Sequence, residues 1–295
     1  MRVAILSRQE SLYSTRRLQE TLSRRGHQVR VVDPLAYPLI FGGRTTVFRP
    51  ADATQALIPR IGASITALGC AVVRAFQQQG VWSLNPAEAI TCSRDKLLSV
   101  QLLSSHQVPV PRTAVVSHPR NLPQAIEEVG GLPVVLKLRR GTQGKGVILV
   151  RTLSAAWHAY AVLNDFQQYT LVQEYVAEAR NRDMRVIVVG DQAVAAMERQ
   201  APPGDFRANI HRGGSSRAIR LDPATAALAV KAVRVHGLGL AGVDLILTAR
   251  GIAVIEVNSS PGLEGIEAAT GTDIADVVAG YVEAQVVQVD ALPVK

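Results

Sequence analysis

Aromatic residues make up only 4% of this 295-residue chain. That scarcity argues against a platform of stacked rings for single-stranded nucleic acid, where successive bases need aromatic faces. Cysteine is nearly absent too. Cys70 and Cys92 are too few for a disulfide framework or a zinc set. They read as inert thiols of a reducing compartment, so the expected location is cytoplasmic. No apolar run reaches the roughly 20 residues that cross a bilayer, and no membrane partner is expected. The opening segment MRVAILSR lacks the long apolar stretch and small-residue cleavage site of a secretory signal. It reads instead as a buried first strand. Acidic residues are in deficit, with Asp+Glu 24 against Lys+Arg 32 and a net charge of +8. A basic balance favours anionic partners such as nucleotide phosphates or acidic peptides. The basic residues are dispersed rather than blocked, so direct reading of nucleic acid is not expected.

What is present is apolar substance in short, punctuated runs. At 47% hydrophobic, the chain can build two or three packed subdomains. A strand at Arg2 to Ser7, a helix at Thr15 to Arg25 closed by Gly26, and a strand at Gln28 to Asp33 form a βαβ opening of a small α/β domain. A strand at Ala56 to Pro59 and an apolar helix from Ala63 to Gln79 continue it. Asn85-Pro86 begins the exit, and a further helix starts near Cys92 to Lys96. Leu132 to Leu138 is a strand, followed by Gly141-Thr142-Gln143-Gly144-Lys145-Gly146 and a return strand at Val147 to Val150. Strand, Gly-rich turn and strand make an antiparallel flap, not the strand-loop-helix order of a P-loop or dinucleotide fingerprint. Thr170 to Val176 is another strand. Arg185 to Val189 and Ala193 to Glu198 pair as a hairpin, and Pro202 to Gly214 reads as a long mobile loop. Helices over Pro223 to Leu238 and Asp273 to Gln285 complete the outline.

The segment from Ala241 to Asn258 carries two carboxylates and an amide. It reads as a hairpin with a three-residue loop, Ala249-Arg250-Gly251. Thr248 then faces Ile252, Asp244 faces Glu256, and Asn258 shares their face. Two opposed carboxylates about 5 Å apart repel unless a proton or cation lies between them. With the amide oxygen they form an all-oxygen set suited to Mg²⁺ or Mn²⁺. A one-residue slip would separate Asp244 from the other two.

Lys137 interrupts an apolar strand just before the flap. Desolvating an ammonium is unfavourable, so a lysine there is best explained as a phosphate clamp. Gly141, Gly144 and Gly146 let backbone N–H groups approach phosphate oxygens. Glu174 and Tyr175 end an apolar strand whose backbone can meet an adenine edge. Asp183 is a candidate ribose acceptor, and equally a loop-surface carboxylate. Arg199, Arg207, Asn209, His211 and Arg212 cluster on the mobile loop. They suggest a charge clamp on a transferring phosphoryl group, with His211 one candidate base. Lys96 stands open between a surface position and a second phosphate contact.

Lys96, Lys137 before the Gly-rich turn, Gln173-Glu174-Tyr175 and Asp244…Glu256-Val257-Asn258 together resemble the ATP-grasp pattern. MRVAILSR, IPRIGASIT, RDKL, KLRRGTQGKGV, VQEYV, GDFRANIHRGG and EVNSSPGLEGIE further resemble the RimK family of ribosomal-protein modification ligases. The likeness spans nearly the whole chain, and its order and spacing are more specific than any single piece.

The resemblance implies a mixed α/β and α+β architecture: an ATP-grasp fold with a small N-terminal α/β (pre-ATP-grasp) domain. The divisions expected are 1–92 for that domain, then 93–176 and 177–295 for two lobes that grip ATP. It implies ATP-dependent joining of a carboxylate to an amine through an acylphosphate. The acceptor would be an acidic peptide or the C-terminus of a small-subunit ribosomal protein, and the amine L-glutamate. Carried over by position, Lys96 and Lys137 hold phosphates, Glu174 and Tyr175 contact adenine, and Asp183 contacts ribose. Arg207, Ala208 and Asn209 line the nucleotide, with Arg207, Asn209 and Arg212 as catalytic candidates. Asp244, Glu256 and Asn258 hold two divalent ions, Mg²⁺ or Mn²⁺. Relatives imply a homo-oligomer, a tetramer. Ala208 departs from a frequent Ser, and Lys145 from an apolar flap residue. Two other readings stand beside this one: a ligase for another amino acid or carrier, and an ATP-binding regulator without turnover.

Overall fold

The computed structural model describes residues 1–36, 38–39, 54–141, 146–166, 169–207 and 213–290. Short apolar strands near the N-terminus stack in parallel because each is joined to the next by a crossover rather than a tight turn. They are β1 (Arg2–Leu6), β2 (Gln28–Val32), β3 (Ala56–Pro59) and β4 (Trp82–Ser83), in spatial order β2-β1-β3-β4. α1 (Tyr13–Arg24) and α2 (Thr66–Gln78) flank this sheet. Gly26 has φ +83°, which suits the glycine just past a helix end.

Two helices follow where one was expected. α3 (Ala87–Arg94) stops and α4 (Lys96–Ser105) starts at Asp95, which is extended. The Asp95 carboxylate accepts from the N–H groups of Leu97 and Leu98, capping α4. The middle sheet is antiparallel, β5-β8-β6-β7. It comprises β5 (Thr113–Val116), β6 (Val134–Leu138), β7 (Val147–Val150) and β8 (Thr170–Glu174), with α5 (Leu122–Glu128) and α6 (Leu153–Phe166) between them. Leu122, Ile126, Tyr160 and Leu163 cover one face over Val134, Leu136 and Val172. Strand alternation therefore turns Lys137 and Gln173 to the other face.

The third sheet runs β11-β10-β9-β12-β13. Its strands are β9 (Arg182–Val189), β10 (Gln192–Gln200), β11 (Ser215–Ala218), β12 (Leu240–Thr248) and β13 (Gly251–Asn258). α7 (Pro223–His236) covers Val186, Val188, Val243 and Leu245. On the opposite face, Ile187, Val189, Met197 and Leu240 share a core with α8 (Glu264–Thr270), α9 (Ile274–Asp290) and the strands of the first sheet. β4, α6, β11 and α8 have no counterpart in the sequence reading; each is short, exposed at an edge, or weakly periodic. Among the described residues no helix is long and apolar enough to cross a membrane.

Ion pairs fasten α9 to the N-terminal domain. Arg25 at the end of α1 donates to both Glu283 oxygens, at 2.8 and 2.6 Å, and to Asp276 at 2.9 Å. His27 Nε2 lies 2.7 Å from Glu283. The Arg25 hydrogen bonds above all, with help from His27, outweigh desolvation and hold the Glu283 carboxyl down to about 2. A depressed carboxyl stabilises the fold above its unfolded pKa of about 4.3 and loses that contribution as pH falls toward the folded value. Glu283→Ala is expected to lower the thermal midpoint by a few degrees at pH 7, about 1 kcal/mol for a part-exposed pair. The difference from wild type should shrink between pH 5 and pH 3 in thermal melts.

Candidate active site

Asp244 does face Glu256, but not by the expected route. The turn has two residues, Ala249 and Arg250, so Thr248 faces Gly251 and Leu247 faces Ile252. That pairing alone would set Asp244 against Ile255. A bulge at Ile255 supplies the missing residue, and Asp244 again opposes Glu256. The shorter loop and the bulge cancel. Asn258 opposes Gly242 on the same face.

Arginines surround this face. Arg185 on β9 opposes Asp244 across the ladder and donates to both its oxygens at 2.7 Å. Arg199 donates to both Asp183 oxygens, at 2.6 and 2.7 Å, and lies 3.0 Å from Asp244. Burial disfavours the Asp244 charge, but Arg185 and Arg199 outweigh it and hold this carboxyl below the usual range. Burial and the Asp244 charge push Asp183 up to about 6 despite Arg199. Glu256 makes no hydrogen bond or ion pair among the described residues, although Arg94 and Lys137 are in its field. Asn258 Oδ1 accepts from the Ser260 N–H at 3.1 Å.

The middle sheet closes the other side. Lys96, Lys137, Leu171, Gln173, Ile255 and Glu256 line one cleft. Lys137 Nζ donates to Gln173 Oε1 at 2.5 Å. Burial first, and the Lys96 charge second, push Lys137 down to about 8, with Glu256 pulling the other way. Lys96 Nζ donates to the Gly141 carbonyl at 3.0 Å, and its backbone N–H to Arg139 O at 3.0 Å. Arg139 also pairs with the buried Asp95. The start of α4 is thereby tied to the base of the flap. Gly146 has φ +68°, and a Cβ there would lie 2.3 Å from Leu138 Cδ1, so the flap returns to β7 only through glycine.

The placement of Arg199 needs correction, and other expected site residues already have partners within the protein. Arg199 is 5% exposed on β10, not on a solvated loop, because that strand extends to Gln200. Asp183 sits on β9, and both its oxygens are engaged by Arg199. Glu174 has no spare backbone donor, since its N–H donates to Arg112 O at 2.9 Å. Its carboxylate accepts from the Arg112 N–H and pairs with Arg250. Tyr175 donates to Asn181 Oδ1 at 3.0 Å. Arg207 folds back on Asp205, with contacts of 2.9 and 3.0 Å. Gly144, Lys145, Ala208, Asn209, His211 and Arg212 lie outside the described residues.

The sequence reading missed Arg60, Arg94 and Arg185. Arg60 had the signal that singled out Lys137: a cation directly on the end of a buried apolar strand. The donor set fits a hard divalent cation in kind, with two carboxylates and one amide oxygen on one face. Among the described residues no group of three or more acidic, histidine or cysteine side chains assembles. A cation here would draw on Glu256 and share Asp244 with its arginines.

Comparison with known proteins agrees over nearly the whole length. Residues 1–90 match the RimK PreATP-grasp domain and residues 93–282 the RimK-like ATP-grasp domain. A probable alpha-L-glutamate ligase 1 of Shewanella amazonensis is 47% identical over 287 residues, covering 96% of this chain and 95% of that protein. A probable alpha-L-glutamate ligase of Azotobacter vinelandii is 48% identical over the same shares. In fold, the chain is similar to the RimK domain protein ATP-grasp from Sphaerobacter thermophilus. That match has a TM-score of 0.73 and 25% identity, over 96% of this chain and all of the other.

Replacing Lys137 tests whether the cleft is built for a ligand at the expense of the empty fold. Lys137→Met is expected to raise the thermal midpoint of the ligand-free protein at pH 7, by about 1 kcal/mol net of the orphaned Gln173 acceptor. A lysine depressed in the fold destabilises it most below the folded pKa, and the penalty fades as pH rises toward the unfolded value. The advantage of the variant should therefore shrink between pH 8 and pH 10 in thermal melts.

Proposed function

The chain belongs to the RimK family of ATP-grasp proteins, and from that premise we propose that it is an ATP-dependent ligase joining L-glutamate to the C-terminal carboxylate of a protein or peptide. The observation that carries this reading is a surplus of enclosed cations around one unpaired carboxylate. Lys96 and Lys137 converge on the cleft with Glu256 as their acidic neighbour. Gathering like charges in a low-dielectric cleft is unfavourable until a polyanion enters, and a nucleoside triphosphate supplies that charge.

In the reaction proposed, an acceptor carboxylate oxygen attacks the γ-phosphorus of ATP. The bond from the γ-phosphorus to its bridging oxygen breaks, and ADP leaves with that electron pair. The unprotonated amine of glutamate then attacks the acyl carbon. The bond to phosphate breaks, the nitrogen gives up one proton, and an amide forms. Phosphoryl transfer needs mainly position and charge neutralisation. Lys96 and Lys137 are assigned to the phosphates, under a flap hinged at Gly141 and Gly146 with Gly144 between them. Glu174 and Tyr175 are assigned to the adenine end. Asp183 would reach the ribose only by sharing its oxygens with Arg199. Arg207, Asn209 and Arg212 are assigned to the transferring group, with Ala208 beside them.

Asp244, Glu256 and Asn258 are the residues that would hold two Mg²⁺ or Mn²⁺ ions. Such ions, when bound, neutralise phosphate charge and align its oxygens. The net charge of +8 favours an acidic acceptor, such as the C-terminus of a ribosomal protein or a growing glutamate chain. A homotetramer is the assembly proposed from the family.

The test is ADP release with MgATP, L-glutamate and a peptide ending in glutamate, with the peptide followed by mass spectrometry. Stepwise gains of one glutamate residue, dependent on ATP and peptide together, are expected. Glu256→Gln should lower turnover at least about 100-fold with folding retained, the scale for losing a group that stabilises transition-state charge. Turnover only with a different amino acid would keep the mechanism and change the substrate. Tight ATP binding without turnover on any acceptor would point to a regulator.

A further inference from the structure

The guanidinium groups of Arg60, just after β3, and Arg94, at the end of α3, meet on the loop just beyond Asn258. Arg60 follows β3 directly, and its backbone N–H donates to Leu6 O at 2.8 Å. Its Nη2 donates to the Pro261 carbonyl at 2.7 Å. Its Nη1 is enclosed and has no hydrogen-bond partner among the described residues. Arg94, the last residue of α3, donates through Nη1 to Thr66 Oγ1 at 2.9 Å. Its Nη2 bonds the Ile61 carbonyl and lies 3.4 Å from Ser260 Oγ. Neither arginine forms an ion pair among the described residues. On the same loop, Ser259 Oγ is also buried and unpaired.

Arginine is seldom enclosed without a carboxylate or phosphate partner. An orphaned N–H on a buried charged group is costlier still. Burial and the neighbouring Arg94 charge push Arg60 down to about 10, so each guanidinium worsens the position of the other. The arrangement makes physical sense if an anion completes it. A guanidinium presents paired donors that match the two oxygens of a carboxylate. Lys96 and Lys137, on α4 and the middle sheet, are already assigned to the phosphates. Arg94 reaches the field of Glu256 from the end of α3.

We propose that Arg60 of the N-terminal domain and Arg94 at the end of α3 form a carboxylate-binding subsite, and that it holds a carboxylate of the amino-acid substrate beside the Asp244–Glu256–Asn258 face. This rests on the ligase reading above. Glutamate reacts through its amine, so both its carboxylates are spectators that need charge partners. Arg60 and Arg94 are binding residues here; neither moves a proton.

The experiment uses the full chain and two variants, Arg60→Lys and Arg60→Gln. L-Glutamate binding is measured by calorimetry, and the KM values for glutamate, ATP and peptide are measured in the ADP-release assay. In Arg60→Gln, KM for glutamate is expected to rise about tenfold or more, the scale of a lost charged hydrogen bond. KM for ATP and peptide should stay within about twofold, and Arg60→Lys should recover part of the loss. The ligand-free thermal midpoint should not fall, because removing an enclosed charge that has no ion-pair partner offsets the lost bond to the Pro261 carbonyl. A rise confined to KM for the peptide would move the carboxylate to the acceptor and overturn the assignment. A rise confined to ATP would make Arg60 a phosphate contact and overturn it as well. A lower thermal midpoint with every KM unchanged would make Arg60 a structural strut. If wild type shows no turnover with glutamate, the ligase reading fails by itself. Glutamate binding that Arg60→Gln abolishes would still uphold the subsite, and equal or absent binding in both proteins would overturn it.

Discussion

Charge balance around two opposed carboxylates, Asp244 and Glu256, governs how the three sheets come together. Asp244 is buried and stays ionised because Arg185 and Arg199 reach it from neighbouring strands. Glu256, one ladder position across, is left to cations from elsewhere: Lys137 on the middle sheet and Arg94 on α3. Each sheet thus brings charge to a shared centre where burial magnifies every mismatch. The ligand-free protein resolves the Asp244 half internally. It leaves the Glu256 half, with Lys96 and Arg60, short of anions. A fold that keeps such a surplus sacrifices stability at the place where an anionic substrate would restore the balance.

Neutral contacts hold that centre in register. Asn85 is buried in the exit from the N-terminal domain and uses its whole amide. Oδ1 accepts from the N–H groups of Gly239 and Leu240, and Nδ2 donates to the carbonyls of Leu240 and Ser259. One side chain therefore fixes the start of β12 and the loop after β13. The loop that receives Arg60 and Arg94 is set by the same residue. In the first turn of α4, Ser99 donates its hydroxyl to Nε2 of His236, whose Nδ1 donates to Ala232 O. Burial lowers the pKa of His236. That bond joins the helix carrying Lys96 to α7 on the third sheet.

Membership of the RimK family and the ATP-grasp fold were both legible in the residues, as was the ligase class they imply. The antiparallel pairing of the strands around the Gly-rich turn was readable because both have period-two spacing, and Lys137 stood out because it breaks an apolar run. The opposition of Asp244 and Glu256 was anticipated with the wrong loop. A two-residue turn and a bulge at Ile255 offset one another, and neither has a signature in the residues themselves. The placement of Arg199 on a loop failed, and Asp183, left open between ribose and a loop surface, lies on a strand, because β9 and β10 run farther than their apolar cores. Their ends are held by the Asp183–Arg199 pair itself, which propensity does not register.

The local elements, the hairpin face and the excess of positive charge can be read from the residues alone, since the first two depend on neighbours in the chain and the third on composition. Which charges are paired is a matter of packing. Arg185 meets Asp244 across 59 positions and Asn85 reaches Ser259 across 174. Arg60 meets Pro261 across 201. Whether an arginine is solvated, satisfied or waiting for a ligand depends on the dielectric and the partners around it. Those are properties of packing between distant segments, and no spacing within the chain encodes them.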